Sequence, residues 1–478
     1  MNINAQPKYF RLVDFGRIIE VILLLLSLFL FSGGLLGPLL TDEYATEGPP
    51  LLRALFYPVY LLAIVLLILR PWSSGNALAR SFLLLLPVII ALISVNWSIE
   101  PSFTLRRSIA LLMTTLFAIY LASRYDWSQF IELFAGLFFI LALLSIGTVL
   151  VLPELGIMSE IHPGAWAGIY SEKNQFGMNM AIAAHLALVA MIFVPKRRLF
   201  WGAVLVFVIA LVLLSTSKTS LIALMLTMTG VLMIYLVRTS PRIAVPVIYF
   251  GLTFVAGLSL AIQFFPEFMF SLIGRDPTLT GRTEIWAALI EQIKNRPWLG
   301  YGYAVFWLDE TGPAYWVRQQ TQWLVPTAHN GWLETWLSIG LVGVVTFAIA
   351  YLAAFISALR GLLTGKQAYW TVISMLIFLM FSMSESNILQ QNSLGWVLFV
   401  ATAAKLFGAR PLQFGSKYGN PVKPWFKAFK PQQFSQSLSR TINSVGSGFA
   451  AQNPQGYRPK PIDNRLRRPD SHPKPEHS

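Results

Sequence analysis

The chain predicts an all-α polytopic membrane protein of about twelve transmembrane helices with one large extracytoplasmic loop containing short helices, and three observations predict it. Of 478 residues, 55% are apolar and only 12% charged, which is more apolar surface than a soluble core can hide. Apolar runs recur between charged or turn-forming stretches, many of them long enough to span a bilayer as helix. The Lys and Arg between the runs favour every second loop, as short cytoplasmic loops do.

The runs lie at 18–40, 53–69, 81–95, 108–122, 129–152, 175–194, 199–214, 220–237, 243–265, 331–358, 369–383 and 394–408. The first is long enough to span, and no small-x-small cleavage site follows it. It therefore reads as a retained helix, not a removed signal. The third, seventh and last two runs are at or below the ~17–25 residues a spanning helix needs. With the N-terminus inside, the inner loops carry Lys8, Arg11, Arg17, Arg70, Arg80, Arg124, Lys196, Arg197, Arg198, Arg238, Arg242, Arg360 and Lys366. Arg53, Arg106, Arg107, Lys173 and Lys218 then fall outside, against the rule. Cations there mean a topology error or an anion-binding site, and the fit of the other loops favours the site. The organisation is thus nine helices in 1–265, an extracytoplasmic loop at 266–330, three helices in 331–408, and a tail at 409–478. Both termini are cytoplasmic.

The outer loop carries structure of its own. Ile285, Trp286, Leu289, Ile290 and Ile293 fall on one helical face, with Glu284, Glu291 and Lys294 off it, so the segment is an amphipathic helix that lies on the membrane or caps the spans. Arg296-Pro297-Trp298 breaks it. The aromatic stretch from Phe306 to Trp323 serves as an interfacial anchor or as a sugar-binding surface.

The tail is rich in Pro, Gln, Ser and Gly and has no sustained apolar period, so it is expected to be disordered. From Lys405 onward the chain holds 13 Lys and Arg against 3 Asp and Glu, a net of +10 out of +14 overall. The basic balance therefore belongs to the tail, where it binds anionic membrane lipids. No nucleic-acid motif is present.

Several chemistries are excluded by residue type. Without cysteine there is no disulfide and no thiolate nucleophile, and there is no Gly-rich phosphate loop ending in Lys-Ser/Thr and no His-Glu-x-x-His. His185 sits mid-span with no second ligand, so neither a metal nor a cofactor is expected. What draws attention is the stretch from His329 to Gly343. It begins with polar His329 and Asn330 and runs into an apolar helix with no charge but Glu334. A helix starting at a membrane surface turns its unpaired N–H groups and positive dipole end outward, where they attract phosphate. Lys218 lies in a Ser/Thr-rich turn between two spans, Lys173-Asn174 opens a span, and Arg282 opens the loop helix. Each alone reads as an interfacial cation, but together with Arg106 they converge on one side.

The chain resembles the O-antigen ligase and O-antigen polymerase superfamily, and among its members those of exopolysaccharide polymerisation. The resemblance is carried by His329-Asn330, nine residues, Gly340, two residues and Gly343, and by Thr280-Gly281-Arg282-Thr283-Glu284 and Leu299-Gly300-Tyr301-Gly302 before it. It covers roughly residues 90–400, and it implies a glycosyltransferase type C-like arrangement. The implied activity is glycosyl transfer at the outer face of a bacterial inner membrane, without metal. The donor would be a glycan on undecaprenyl pyrophosphate, and the acceptor a hydroxyl of another glycan or of lipid A core. Polysaccharide-export partners are a further expectation. Arg282 would hold the pyrophosphate, Lys173, Asn174, Lys218, Arg106 and Asn330 would bind substrate, and His329 would take the acceptor's proton. Lys218 stands where the family is expected to have an arginine, so it keeps the charge and loses the bidentate fork. Glu385, in Ser384-Glu385-Ser386-Asn387, is a second base candidate or the partner of an Arg or Lys. A transporter or flippase for lipid-linked saccharides, or an export scaffold, would also need many spans. The single large outer loop and the lack of an internal repeat favour the enzyme.

The orientation is tested by labelling the cysteine-free chain. Thr311→Cys should react with a membrane-impermeant thiol reagent in cells with a permeabilised outer membrane, and Ser416→Cys should not; the opposite pattern would remove the outer site. Deleting Phe414–Ser478 should leave transfer intact at normal protein level, since that segment lies across the membrane from the chemistry.

Overall fold

The computed structural model describes residues 12–40, 49–159, 162–239, 242–243, 245–246, 282–308, 312–322 and 324–408. Most of the ninth run, Thr280, Gly281, Thr311 and the tail from 409 lie outside the described residues. Among the described residues every regular element is a helix, and strand pairing is limited to one bridge between Ile157 and Trp166. In chain order the helices are α1 (Leu12–Phe31), α2 (Leu36–Leu40), α3 (Pro50–Ile68), α4 (Pro71–Arg80), α5 (Phe82–Ile93), α6 (Pro101–Arg124), α7 (Trp127–Val151), α8 (Pro153–Gly156), α9 (Lys173–Phe193), α10 (Arg198–Leu214) and α11 (Lys218–Thr239). Then come α12 (Arg282–Asn295), α13 (Pro313–Thr321), α14 (Gly331–Arg360), α15 (Ala368–Ser382) and α16 (Leu394–Leu406).

Seven described helices are long and apolar enough to cross a membrane, or eight if α4 and α5, bent by 81° at Ser81, form one broken span. Of the other runs, most of the ninth lies outside the described residues. The 20-residue α1 carries Asp14, Arg17 and Glu20, and the run at 18–40 is broken after Phe31. There Ser32 Oγ donates to Phe29 O at 2.6 Å and accepts from Gly34 N at 3.2 Å, Gly33 turns to φ +66°, and Leu35 N donates to Ile169 O at 2.6 Å. α15 and α16, of 15 and 13 residues, fall short of the ~20 that a crossing needs, because the chain between Met383 and Ser393 runs in turns. Helix α4 was not foreseen. Pro71 starts it, in the first-turn position where a missing N–H is tolerated.

Contacts sort the loops to two ends. At one end Glu20 pairs with Arg124 at 2.6 Å and lies 3.8 Å from Arg70, and Arg197 pairs with Glu132 at 2.5 Å. There Arg238 donates to Leu362 O and Gly365 O at 2.9 and 2.6 Å, and Lys405 to Tyr125 O at 2.5 Å. All these segments are ones expected on the inner side. At the other end meet Ser94, Arg107, the Ser217 turn, the start of α9, the stretch from 282 to 330 and the 383–393 turn.

The second end is organised by a break in α14. Ile339 (φ −130°, ψ 18°) and Gly340 (φ 69°, ψ −173°) leave helical geometry, so the peptide groups around them lose their intrahelical partners. The segment from Pro297 to Gly302 replaces them. Tyr301 N and Gly302 N donate to Leu337 O and Ser338 O at 2.8 and 3.0 Å, while Leu341 N and Val342 N donate to Pro297 O and Trp298 O at 2.9 and 3.3 Å. Two glycines make this approach possible. A Cβ on Gly340 would stand 2.0 Å from Trp298 O, and one on Gly300 (φ +68°) 2.5 Å from Leu337 O. A second apolar core forms on this seam from Ile285, Ala288, Leu289 and Ile293 of α12, Ala314 and Val317 of α13, and Tyr301, Phe306, Val325, Ala328 and Leu337. α12 therefore caps the spans through its buried face, of which Ile290, 46% exposed, is not a part.

The seam has a measurable consequence. Gly340→Ala forces a side chain into a backbone conformation essentially reserved for glycine and into the Trp298 carbonyl, so we expect a loss of at least ~2 kcal/mol. That loss should be read as a lower melting temperature of the detergent-solubilised protein. Gly147→Ala, at a position with open space around it, is the control and should leave melting unchanged or slightly raised. Equal melting of both variants would mean that the 297–302 segment is not tied to α14.

Candidate functional site

Three separate segments bring Arg282, Glu385 and His329 into a row. Arg282 is the first residue of α12, which is held by its buried face and by Trp286 Nε1 donating to Ala328 O at 3.0 Å. Glu385 follows α15 in a turn closed by its own N–H donating to Phe381 O at 2.8 Å. His329 precedes α14 with φ +46°, the left-handed region that histidine visits more readily than most residues. Arg282 Nη2 lies 3.5 Å from Glu385 Oε1, and Glu385 Oε2 lies 3.8 Å from His329 Nδ1. Arg282 Nη1 also donates to Ser384 O at 2.7 Å. The three side chains are 18%, 26% and 17% exposed, and both contacts of Glu385 are longer than a hydrogen bond of ordinary length, so the carboxylate is loosely placed on the arginine.

Asn330 has a definite structural role. Its Oδ1 caps α14 by accepting from Trp332 N and Leu333 N at 2.9 and 3.2 Å, which occupies it with the helix start.

Beside the row lies a cavity of about 500 Å³ whose wall includes Arg107, Tyr303, Trp307, Arg318, Glu334 and Gln391. Thr327 and Ser386, close in sequence to His329 and Glu385, are also in this wall, whereas the three side chains of the row are not. Arg107 donates to Ala304 O, and Arg318 Nη2 to Trp307 O at 3.1 Å. The Tyr303 hydroxyl meets Leu389 O at 2.5 Å and Gln391 Oε1 at 2.6 Å. Burial pushes its pKa up, so it stays protonated and a donor. The cavity thus offers fixed cations, an indole and amide groups on one wall, a donor set suited to a polar, hydroxyl-rich ligand.

The remaining sequence-derived candidates form other groups. Ser217, beside Lys218, donates through Oγ to Asn174 Oδ1 at 3.1 Å, and the Ser215, Ser217 and Ser220 side chains pack against Gly177, so the Lys218 turn and the Lys173-Asn174 helix start come together. Lys173 also lies close to His162, whose pKa is lowered by partial burial and by that lysine's charge. A second cavity, of about 230 Å³, reaches from Gln175 and Asn179 of this helix to Gln390, which lines both cavities. Arg106 stacks its guanidinium over Phe103 at 4.8 Å, while the adjacent Arg107 is the one that faces the cavity. The buried stripe of α6, Thr104, Ser108 and Leu111, was the available signal, since Arg107 lies on that side at helical spacing. Trp307 belongs to the aromatic stretch noted from the sequence, whereas Tyr303, Arg318 and Gln391 were not singled out. Tyr303 and Arg318 reach the wall from the stretch after Pro297 and Gln391 from the 383–393 turn, neither of which has a period to read. Among the described residues no group of three His, Asp or Glu could hold a metal ion.

Residues 203–348 match the model of a family described as O-Antigen ligase. The chain is also 26% identical over 339 residues to the exopolysaccharide production protein ExoQ of Rhizobium meliloti (strain 1021), a match covering 66% of this chain and 75% of the relative. The family match contains Arg282, His329 and the two glycines Gly340 and Gly343, and the resemblance drawn from the motifs that hold them is borne out.

Proposed function

We propose, from the O-antigen ligase likeness and the row formed by Arg282, Glu385 and His329, that this chain is a membrane glycosyltransferase of polysaccharide biosynthesis. It joins a glycan carried on undecaprenyl pyrophosphate to a hydroxyl of an acceptor glycan. The observation that carries the reading is the row itself. A cation suited to pyrophosphate and an imidazole suited to a hydroxyl proton stand on either side of one carboxylate.

The chemistry divides between them. The acceptor oxygen attacks the anomeric carbon of the donor sugar, a new C–O bond forms, and the bond from that carbon to the pyrophosphate oxygen breaks. The leaving oxygen keeps the electron pair, and Arg282, exchanging Glu385 for phosphate, neutralises its charge through a planar fork that matches two phosphate oxygens. The acceptor proton passes to His329. Glu385 near Nδ1 favours the tautomer whose basic nitrogen is Nε2 and stabilises the imidazolium that forms, as a carboxylate does beside a histidine base. Because pyrophosphate is a good leaving group, charge neutralisation and positioning supply most of the catalysis. The cavity of about 500 Å³ takes the sugar next to the reacting bond. The 282–330 stretch faces the outer side of the inner membrane, with both termini cytoplasmic.

Purified protein given undecaprenyl-pyrophosphate glycan and a glycan acceptor should form product without added nucleotide or metal. His329→Ala and Arg282→Lys should each slow turnover by on the order of 10²-fold. Donor binding should survive His329→Ala and weaken in Arg282→Ala. Turnover of His329→Ala at the wild-type rate would take the proton transfer away from it. A wild-type protein that moves donor lipid between leaflets and makes no glycosidic bond would instead be a flippase.

A further inference from the structure

Glu334 carries no task in the transfer outlined for Arg282, His329 and Glu385, yet its carboxylate is the most heavily bonded acidic group near them. Oε1 and Oε2 accept from Trp307 Nε1 at 2.9 and 3.2 Å, Oε2 accepts from Ala328 N at 2.9 Å, and Oε2 accepts from Ser386 Oγ at 3.4 Å. Its own backbone N–H donates to Asn330 O at 3.0 Å, closing the first turn of α14. The residue thus grips the chain on both sides of His329, through Ala328 before it and Asn330 after it. The same carboxylate reaches the residue that follows Glu385.

We infer that Glu334 is a positioning residue: it ties the backbone beside His329 to the side chain beside Glu385, and so sets the separation across which those two groups work. The inference rests on the transfer chemistry proposed for His329 and Glu385. A bare left-handed turn at His329 would leave the imidazole free to swing, because φ +46° is a minor state for a residue with a side chain. The bonds to Ala328 and Asn330 hold that state. A carboxylate suits the place because three donors converge on it and its two oxygens can accept from all of them. A glutamine of the same shape would turn an NH₂ group toward at least one of those donors. The alternative, that Glu334 is itself the base, fits less well, since an oxygen already taking an indole, an amide and a hydroxyl has little capacity left for a substrate proton. The charged and titratable groups around it are His329, Arg107, Arg318 and Tyr303.

The test joins a rate to a readout independent of turnover. Glu334→Gln should lower kcat by about tenfold or more, and Ser386→Ala, which cuts only the longest tie, should lower it less. In both, the change in kcat should exceed any change in donor KM, since the two residues also line the cavity proposed for the sugar. The double variant Glu334→Gln with Glu385→Gln should be no slower than Glu385→Gln alone, because a positioning residue has nothing to add once its target is gone. Separately, carbethoxylation of His329 at one fixed pH, followed by peptide mass spectrometry on the purified protein, should change in rate in Glu334→Gln and Ser386→Ala in the same direction as in Glu385→Gln. A modification rate that changes in Glu385→Gln but stays at the wild-type value in both other variants would overturn the inference, as would a change in KM alone or fully additive losses of kcat. If Glu334→Gln is not recovered folded, Ser386→Ala decides by the same criteria. A modification rate unchanged even in Glu385→Gln would instead remove the His329–Glu385 pair, and both readings with it.

Discussion

A helix inside a membrane protein can break only where other groups satisfy the peptide units it releases, and the end of the molecule that carries the candidate site is built on one such break. At Ile339 and Gly340 the helix α14 gives up its own ladder, and Pro297 to Gly302 takes over the vacated donors and acceptors. The substitution works because Gly340 and Gly300 let two backbones approach where any Cβ would collide. Once the 297–302 segment is pinned, its neighbours follow. Tyr303 N donates to Ser94 Oγ at 3.1 Å, Ala304 N to Ser338 Oγ at 3.3 Å, and Trp97 Nε1 to Leu299 O at 2.8 Å. The wall of the larger cavity is therefore an extension of the kink.

The frame and the reacting groups differ in how firmly they are held, and the difference suits the proposed chemistry. The frame is made of backbone hydrogen bonds and a closed apolar core between α12, α13 and the start of α14. By contrast, Arg282, Glu385 and His329 meet through two contacts of 3.5 and 3.8 Å, longer than ordinary hydrogen bonds. In the proposed transfer a rigid frame would keep the groups in place, and a loose pairing would let substrate displace it. Were the arginine and carboxylate fully buried, breaking them apart would cost several kcal/mol, and pyrophosphate binding would have to supply that energy.

The glycines Gly340 and Gly343 enter the family resemblance as letters of a motif, and the structure shows what they do. Gly340 is the kink. At Gly343 a Cβ would stand 2.1 Å from the Ile339 side chain, so its smallness accommodates the turn that the kink imposes. The same applies to Leu299-Gly300-Tyr301-Gly302, which is legible only as a pattern until its carbonyls and amides are seen on α14. Both stretches shape the kink of α14.

Composition, periodicity and charge by themselves determined the all-helical membrane class and the amphipathic character of α12, because hydrophobic period is a local property of the chain, whereas Arg282, His329 and Glu385 became candidates for a shared task only through the family resemblance. The family signature was equally local and was met by the comparison with O-antigen ligases. The number of crossing helices was not decided there. Hydropathy sees apolar length but not the Ser32–Leu35 turn or the 81° bend at Ser81, both of which are fixed by contacts distant in sequence or by local hydrogen bonds. Likewise the choice of Arg107 over Arg106 for the cavity, the capping role of Asn330 and the grip of Glu334 on two remote segments belong to the tertiary structure. Each depends on which way a side chain points once α6, α12, α14 and the 383–393 turn have packed, and a charge in a sequence carries no direction until its backbone has been placed.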